Sequence, residues 1–253
     1  MILITFFLAG LLLGSFANVC IIRLPKDEDI FLSRSKCFSC RKNIPWFNNI
    51  PVFSYIHLRG RSDCCDKKIS LQYPIVEIFM GCLLLLTGAI FSLPQAITIS
   101  LVFFVVTLII VIDYYHRIIF DVMNYILIIS GVSISLIYPE LNPENISFKN
   151  SILTGLIGFG LFFSLKTLFK KIKGIDALGM GDVYLIAGLG VWLGFEKFLY
   201  ILSISSIIGI FYYLLVDKKS ENFEIPYGSA LGISFIILIL SEKLILQVIT
   251  LLL

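Results

Sequence analysis

Eight apolar runs separated by polar loops restrict this chain to folds that are built in a membrane. The runs cover residues 2–22, 74–92, 95–112, 119–138, 150–169, 181–194, 197–215 and 228–252. Hydrophobic residues make up 58% of the chain, against roughly 45–50% in soluble domains. A bilayer core of about 30 Å is crossed by a helix of about 20 residues. The runs therefore predict an all-α polytopic membrane protein with about eight transmembrane helices.

The uneven distribution of Lys and Arg predicts the orientation of these helices. Segment 23–73 contains ten of the twenty Lys and Arg residues, and loops rich in such residues stay on the cytoplasmic side. We expect the N-terminus outside and a chain organised as a first transmembrane helix (1–22), a cytoplasmic insert (23–73) and a seven-helix body (74–253). A formal net charge of only +3, without basic stripes outside the loops, argues against nucleic-acid binding.

The insert contains four cysteines and too little apolar material to form a core of its own. Domains this small usually depend on a metal or on disulfides, and disulfides are rare in the reducing cytoplasm. The spacing Cys37-x-x-Cys40 is that of half a zinc knuckle, whereas Ser62 stands three positions before Cys65 in the other half. Two interpretations remain open: free thiols, or a structural zinc bound by Cys37, Cys40, Cys65 and either Cys64 or His57.

Two aspartates lie at the ends of apolar runs, where an ionisable side chain costs enough free energy to suggest a function. Asp113 ends the third run, and Asp182 opens the sixth within Gly179-Met-Gly181-Asp182. The predicted topology returns both acids to the same cytoplasmic depth. Two adjacent carboxylates share one proton and can act as acid and base on a water molecule. Because a helix C-terminus disfavours negative charge at Asp113 and a helix N-terminus favours it at Asp182, we expect Asp113 to hold that proton.

Other readings of these acids remain open. Gly179 and Gly181 fit a catalytic site because the missing side chains let a substrate backbone approach Asp182. The same aspartates could instead be ordinary interfacial residues, or belong to a non-enzymatic assembly subunit or a cation or proton transporter. A transporter fits less well, because runs such as 101–111 contain almost no polar residue.

Short motifs follow one another in a fixed order from about residue 10 to about residue 195. They are Gly14-Ser-Phe-Ala-Asn18, Arg23-Leu-Pro25, Cys37-x-x-Cys40, Asn49-Ile-Pro51, Leu58-Arg-Gly-Arg61, Tyr73-Pro74, Glu77, Asp113 and Gly179-Met-Gly-Asp182. In order and spacing they resemble those of the type IV prepilin peptidases. The resemblance implies Asp113 and Asp182 as the catalytic pair, with Gly179 and Gly181 supporting them. It also implies that Glu77 contacts the substrate or braces the insert.

The same resemblance implies a cellular role. Such enzymes cleave the basic leader of type IV prepilins or pseudopilins at the cytoplasmic face of the bacterial inner membrane, and peptide hydrolysis requires no cofactor. Many of them also methylate the new N-terminus with S-adenosylmethionine, an activity associated with the insert. The expected partners are the precursor proteins and the lipid bilayer, and the sequence gives no indication of an oligomeric state.

Overall fold

The computed structural model describes residues 1–31, 34–142, 144–174, 178–215 and 224–252, with side chains omitted at 242 and 245–252. Within these ranges the regular elements are helices, and the two β-bridges are isolated. The α-helices are α1 (Ile2–Arg23), α2 (Phe53–His57), α3 (Gln72–Ile90), α4 (Leu93–His116), α5 (Asp121–Ile137), α6 (Phe148–Lys173), α7 (Met180–Leu215) and α8 (Tyr227–Leu252). The prediction of an all-α fold is confirmed.

The apolar helices match the predicted runs. In the described part of the chain, α1, α3, α4, α6 and α7 are each long and apolar enough to cross a membrane, while α5 and the Tyr227–Ser241 part of α8 are shorter apolar helices. Helix α7 is interrupted at Gly194, whose φ of 68° and ψ of 174° are not helical. Its two halves correspond to the predicted runs 181–194 and 197–215. The chain is a multi-pass membrane protein.

The structure forms two compact units, Met1–Ala89 and Ile90–Leu253. In the first unit, α1 and α3 approach closely because glycines face the neighbouring backbone. A Cβ atom on Gly10 would lie 2.5 Å from the Met80 carbonyl oxygen, and one on Gly14 would lie 2.6 Å from Glu77 Cα. Small residues of this kind allow helices to pack tightly in lipid. The predicted division of the chain at 22/23 and 73/74 stays a prediction.

In the second unit, α7 packs against α5, α6 and α8, and α8 also packs against α4. Polar side chains satisfy backbone carbonyls inside this bundle. Trp192 is fully buried and donates from Nε1 to the Leu127 carbonyl at 2.9 Å, and Ser151 donates to the Val191 carbonyl at 2.9 Å. Such bonds matter where no water is available to replace them. The packing brings the first turns of α7 and α8 to the last turn of α4.

Candidate active site

Asp113 lies in the last turn of α4 and is 5% exposed. Arg117 ends the helix in the left-handed conformation, with φ of 58°. Its guanidinium donates to the backbone carbonyls of Asp113 at 3.1 Å and Tyr114 at 2.7 Å, and to the hydroxyl of Tyr212 at 3.1 Å. The carbonyls at a helix end lack partners within the helix, so Arg117 satisfies them and fixes the turn that carries Asp113.

The carboxylate of Asp113 is held by the first turn of α8. Its Oδ2 accepts a hydrogen bond from the Ser229 backbone N–H at 2.7 Å and another from the Ser229 hydroxyl at 2.9 Å. Amides in the first turn of a helix have no partner within the helix and favour a negative charge. Gly228 makes this approach possible, because a Cβ atom there would lie 3.2 Å from Asp113 Oδ2.

Asp182 lies in the first turn of α7 and is half-buried. The backbone N–H of Gly179 donates to its carboxylate, and a Cβ atom on Gly179 would lie 3.0 Å from Asp182 Oδ2. Lys166 on α6 interacts electrostatically with Asp182 and donates to the Leu178 carbonyl. Two glycines and a cation therefore surround this acid.

The structure brings the two acids into one site. Their carboxylates are near enough to interact electrostatically. The loop between α4 and α5 lies beside both acids, because its residue Ile119 contacts Gly181, next to Asp182, and Gly228, which packs on Asp113. A Cβ atom on Gly181 would lie 2.9 Å from Ile119 Cβ, and one on Gly228 would lie 2.5 Å from Ile119 Cδ1. The predicted acids and glycines thus lie together in the second unit, and their catalytic role stays a prediction.

Glu77 belongs to the first unit, where it is 6% exposed. Its Oε2 accepts from the Val52 backbone N–H at 2.7 Å, and its carboxylate also bonds the Ser15 side chain. Val52 has φ of 62° and ψ of −48°, and the Phe53 N–H donates to the Pro51 carbonyl at 2.6 Å, as in a strained γ-turn. These contacts are those expected of a residue that braces the insert.

Sequence reasoning missed several residues of the site. Ser229 and Gly228 are separated by more than one hundred positions from Asp113, so no local spacing connects them. Asn124 is fully buried on α5 and donates from Nδ2 to the Gly181 carbonyl at 3.0 Å, and its Oδ1 has no partner among the described residues. A buried amide near the end of an apolar run is a recognisable signal, but the run alone does not show what the amide contacts.

The cysteines of the insert lie on two similar hairpin turns, 36–43 and 61–68, each closed by an antiparallel β-bridge. In both turns the residue after the first bridge position donates its N–H to a lysine carbonyl over 2.8 Å. That residue is Cys37 in the first turn and Ser62 in the second. Cys40 and Cys65 follow three positions later in their respective turns. Ser62 therefore occupies the place that corresponds to Cys37.

The thiol of Cys64 supplies the fourth sulfur of the cluster, which Ser62 lacks. The Sγ atoms of Cys37, Cys40, Cys64 and Cys65 all lie within 4.8 Å of one another, and Cys64 Sγ lies 3.1 Å from the Ser62 hydroxyl. Zinc is bound by four thiolates at about 2.3 Å in tetrahedral geometry. Both the donor set and its grouping fit a zinc ion.

The remaining details of the cluster concern His57 and the thiol pKa values. His57 stacks on an aromatic ring of its own helix and is not part of the cluster.

Burial raises the pKa of Cys37, but hydrogen bonds from the Ser62 hydroxyl and from backbone amides lower it by more, so that the pKa falls to about 6. The hydrogen bond between Cys40 and Cys64 is the main reason that the pKa of Cys40 rises to about 12.

Comparison with known proteins gives consistent matches along the chain. Residues 8–91 match the model of the bacterial peptidase A24 N-terminal domain, and residues 99–214 match the type IV leader peptidase family. The chain is 31% identical to the prepilin leader peptidase/N-methyltransferase of Vibrio cholerae, over 96% of this chain and 98% of that protein. It is 28% identical to the same-named protein of Dickeya chrysanthemi, over 92% of this chain and 90% of the relative. It is also 28% identical to the Escherichia coli protein named type 4 prepilin-like proteins leader peptide-processing enzyme, over 93% of this chain and 92% of that protein. No solved structure gives a significant match.

Proposed function

The chain belongs to the type IV leader peptidase family, and we propose that it cleaves the basic leader of type IV prepilins or pseudopilins. It is a membrane-embedded peptidase, which sets aside the transporter and the non-enzymatic subunit. The observation that carries the proposal is the meeting of Asp113 and Asp182 at the ends of α4 and α7. The substrate class is supported by relatives that are named as prepilin leader peptidases and match nearly the whole chain.

The two carboxylates supply the chemistry of peptide hydrolysis. The ionised acid takes a proton from a water molecule, whose oxygen then attacks the scissile carbonyl carbon. The protonated acid gives its proton to the carbonyl oxygen, and a neutral gem-diol results. The first acid then protonates the leaving nitrogen as the C–N bond breaks, while the second recovers a proton from the diol. One water is consumed, and both carboxyl groups return to their starting states.

The position of the acids suits a precursor that is itself inserted in the membrane. A prepilin presents an apolar helix to the bilayer and a basic leader to the cytoplasm, so its scissile bond lies near the membrane surface. Asp113 ends one membrane helix and Asp182 begins another. With the N-terminus outside and segment 23–73 in the cytoplasm, both acids face the cytoplasmic side of the bacterial inner membrane, where the leader is located.

The insert has a structural role in this proposal. Cys37, Cys40, Cys64 and Cys65 bind a zinc ion, which holds the two hairpin turns together and stabilises a segment without a core of its own. The enzyme also methylates the new N-terminal residue with S-adenosylmethionine. This second activity is supported by the names of the relatives, and no residue of the chain is assigned to that cofactor.

A cleavage assay with purified protein tests the proposal. The protein in detergent is incubated with a prepilin that carries its leader, with and without S-adenosylmethionine, and the products are identified by mass spectrometry. We expect the wild type to release the leader and Asp113→Asn and Asp182→Asn to be inactive although folded. Asp121→Asn is the matched control, because Asp121 is an exposed acid at the start of α5. Failure of the wild type on a precursor that a related peptidase cleaves would overturn the proposal.

A further inference from the structure

The hydroxyl of Ser229 has two hydrogen-bond partners at once. Its Oγ lies 2.9 Å from Asp113 Oδ2 and 2.8 Å from the backbone carbonyl oxygen of Ile110. The Ser229 backbone N–H donates to the same Oδ2 at 2.7 Å, and the residue is only 4% exposed. The hydroxyl therefore lies between a titratable carboxyl and a fixed carbonyl acceptor, away from water.

A hydroxyl has one hydrogen to donate and two lone pairs to accept with. When Asp113 is ionised, the Ser229 hydroxyl donates to Oδ2. When Asp113 is protonated, its own O–H donates to Ser229 Oγ, and the serine hydrogen turns to the Ile110 carbonyl. Both arrangements satisfy every polar atom of the group, whereas a buried donor or acceptor without a partner would cost about 1–3 kcal/mol.

We propose that Ser229 is a positioning residue for Asp113 that holds Oδ2 in both of its protonation states. The inference rests on the proposed function, since hydrolysis takes the acid through both states in every turnover. Within the described residues, the hydrogen bonds to the Asp113 carboxylate go to Oδ2, which leaves Oδ1 to meet the water or substrate. Because only a hydrogen turns, the carboxylate keeps its position throughout the cycle.

The charged groups around Asp113 come from each neighbouring element. Arg117 at the C-terminus of α4 and Asp182 on α7 interact with it electrostatically, and Lys166 on α6 acts on Asp182. Tyr227 on α8 interacts electrostatically with Asp182, and its hydroxyl lies 3.4 Å from Ser205 Oγ. These groups remain in place when Ser229 is changed, so a change in pH dependence reports the lost hydroxyl.

Two substitutions and one control test the proposal. Ser229→Ala removes the hydroxyl but keeps the backbone N–H, and Ser229→Thr keeps a hydroxyl at the same atom. Ser234 on the same helix is fully buried and donates to its own helix at the Ala230 carbonyl, so Ser234→Ala removes a buried hydroxyl that does not touch an acid. Prepilin cleavage is measured as kcat and KM across pH, together with the thermal stability of each variant.

We expect Ser229→Ala to lower kcat about 10- to 100-fold with little change in KM, the loss expected for a hydrogen bond to a charged group. One limb of its pH–rate profile moves to higher pH, because the ionised form of Asp113 loses a bond to a charged group, which is stronger than the neutral bond that the protonated form loses. Ser229→Thr restores most of kcat, and Ser234→Ala keeps both kcat and the profile.

The following results would overturn the inference without touching the proposed function. One is a Ser229→Ala variant whose kcat and pH–rate profile are the same as those of the wild type. Another is a loss of stability equal to that of Ser234→Ala with an unchanged pH profile, which would show a structural role alone. Absence of cleavage by the wild type would instead reject the proposed function itself.

Discussion

The carbonyl oxygen of Gly181 accepts a hydrogen bond of 3.0 Å from Nδ2 of Asn124, so a fully buried amide on α5 fixes the residue before Asp182. A similar contact lies elsewhere on α7, where Asn142 Nδ2 donates to the Trp192 carbonyl at 3.2 Å. The two contacts have the same chemistry, but only the first is next to an acid. They therefore allow the effect on activity to be separated from the effect on stability.

Asn124→Ala should reduce catalysis more than Asn142→Ala. Removal of the Asn124 amide frees the Gly181 carbonyl and lets Asp182 drift from its position, and such displacements cost on the order of 10- to 100-fold in rate. Asn142→Ala should lower thermal stability and leave kcat per folded molecule unchanged. The measurement is kcat for prepilin cleavage beside a melting curve, and equal kcat values in the two variants would refute the assignment.

Two alanine substitutions beside the acids should respond differently to the same second change. A Cβ atom on Gly228 meets Ile119 at Cδ1, 2.5 Å away, whereas one on Gly181 meets Ile119 Cβ at 2.9 Å and its backbone oxygen at 3.2 Å. Ile119→Val removes Cδ1 but neither of the other atoms. We expect both Gly228→Ala and Gly181→Ala to lose activity. Ile119→Val should restore part of the activity of Gly228→Ala only, because the new Cβ atom also lies 3.2 Å from Asp113 Oδ2, which the second substitution leaves in place.

The measurement is the cleavage rate of Gly228→Ala and Gly181→Ala, of each combined with Ile119→Val, and of Ile119→Val alone. Rescue of both alanine variants, or of neither, would show that Ile119 does not separate the two glycines as the structure has it.

Cys64, the proposed zinc ligand, should be replaceable by a cysteine at position 62. Ser62 occupies the place that corresponds to Cys37, and Cys64 Sγ lies 3.1 Å from its hydroxyl. Cys64→Ser should therefore lose zinc, and the double substitution Ser62→Cys with Cys64→Ser should regain it. Metal content of the purified proteins is the measurement, with Cys82→Ser as a control outside the cluster. Full zinc content in Cys64→Ser would contradict the ligand set.

The strained turn at Val52 should be relieved by glycine. Glu77 holds the Val52 N–H, and a positive φ at a β-branched residue costs on the order of 1–3 kcal/mol. Glu77→Gln should make the insert more sensitive to proteolysis, because a neutral amide is a weaker acceptor than a carboxylate. Val52→Gly should offset that loss, and Val52→Ala should not, because alanine keeps Cβ. If Val52→Gly and Val52→Ala protect the insert from proteolysis equally, the backbone at Val52 is not strained.

The helices could be predicted because each depends on a local stretch of about 20 apolar residues. Even the interruption of α7 was visible, since the predicted runs 181–194 and 197–215 meet where Gly194 breaks the helix. The two aspartates were visible because an acid at a membrane boundary is unusual.

The contacts around the acids could not be predicted, because they depend on tertiary packing. Ser229 reaches Asp113 from the opposite end of the second unit's sequence, and nothing local distinguishes it from an ordinary residue at a helix start. The expectation that Asp113 holds the shared proton considered the C-terminus of α4 at Asp113 and the N-terminus of α7 at Asp182, but not α8. The N-terminus of α8 opposes that dipole at the same carboxylate, so the assignment stays a prediction for the pH profile of the Ser229 variants to decide.

A double-mutant cycle tests whether Asp113 and Asp182 act as one catalytic unit. Single-turnover cleavage of a prepilin is compared for the wild type, Asp113→Asn, Asp182→Asn and the doubly substituted protein. Groups that act as a unit are not additive, so each single substitution should reduce the rate about as much as both together. Effects that multiply, or a single variant that keeps most of the wild-type rate, would contradict the account.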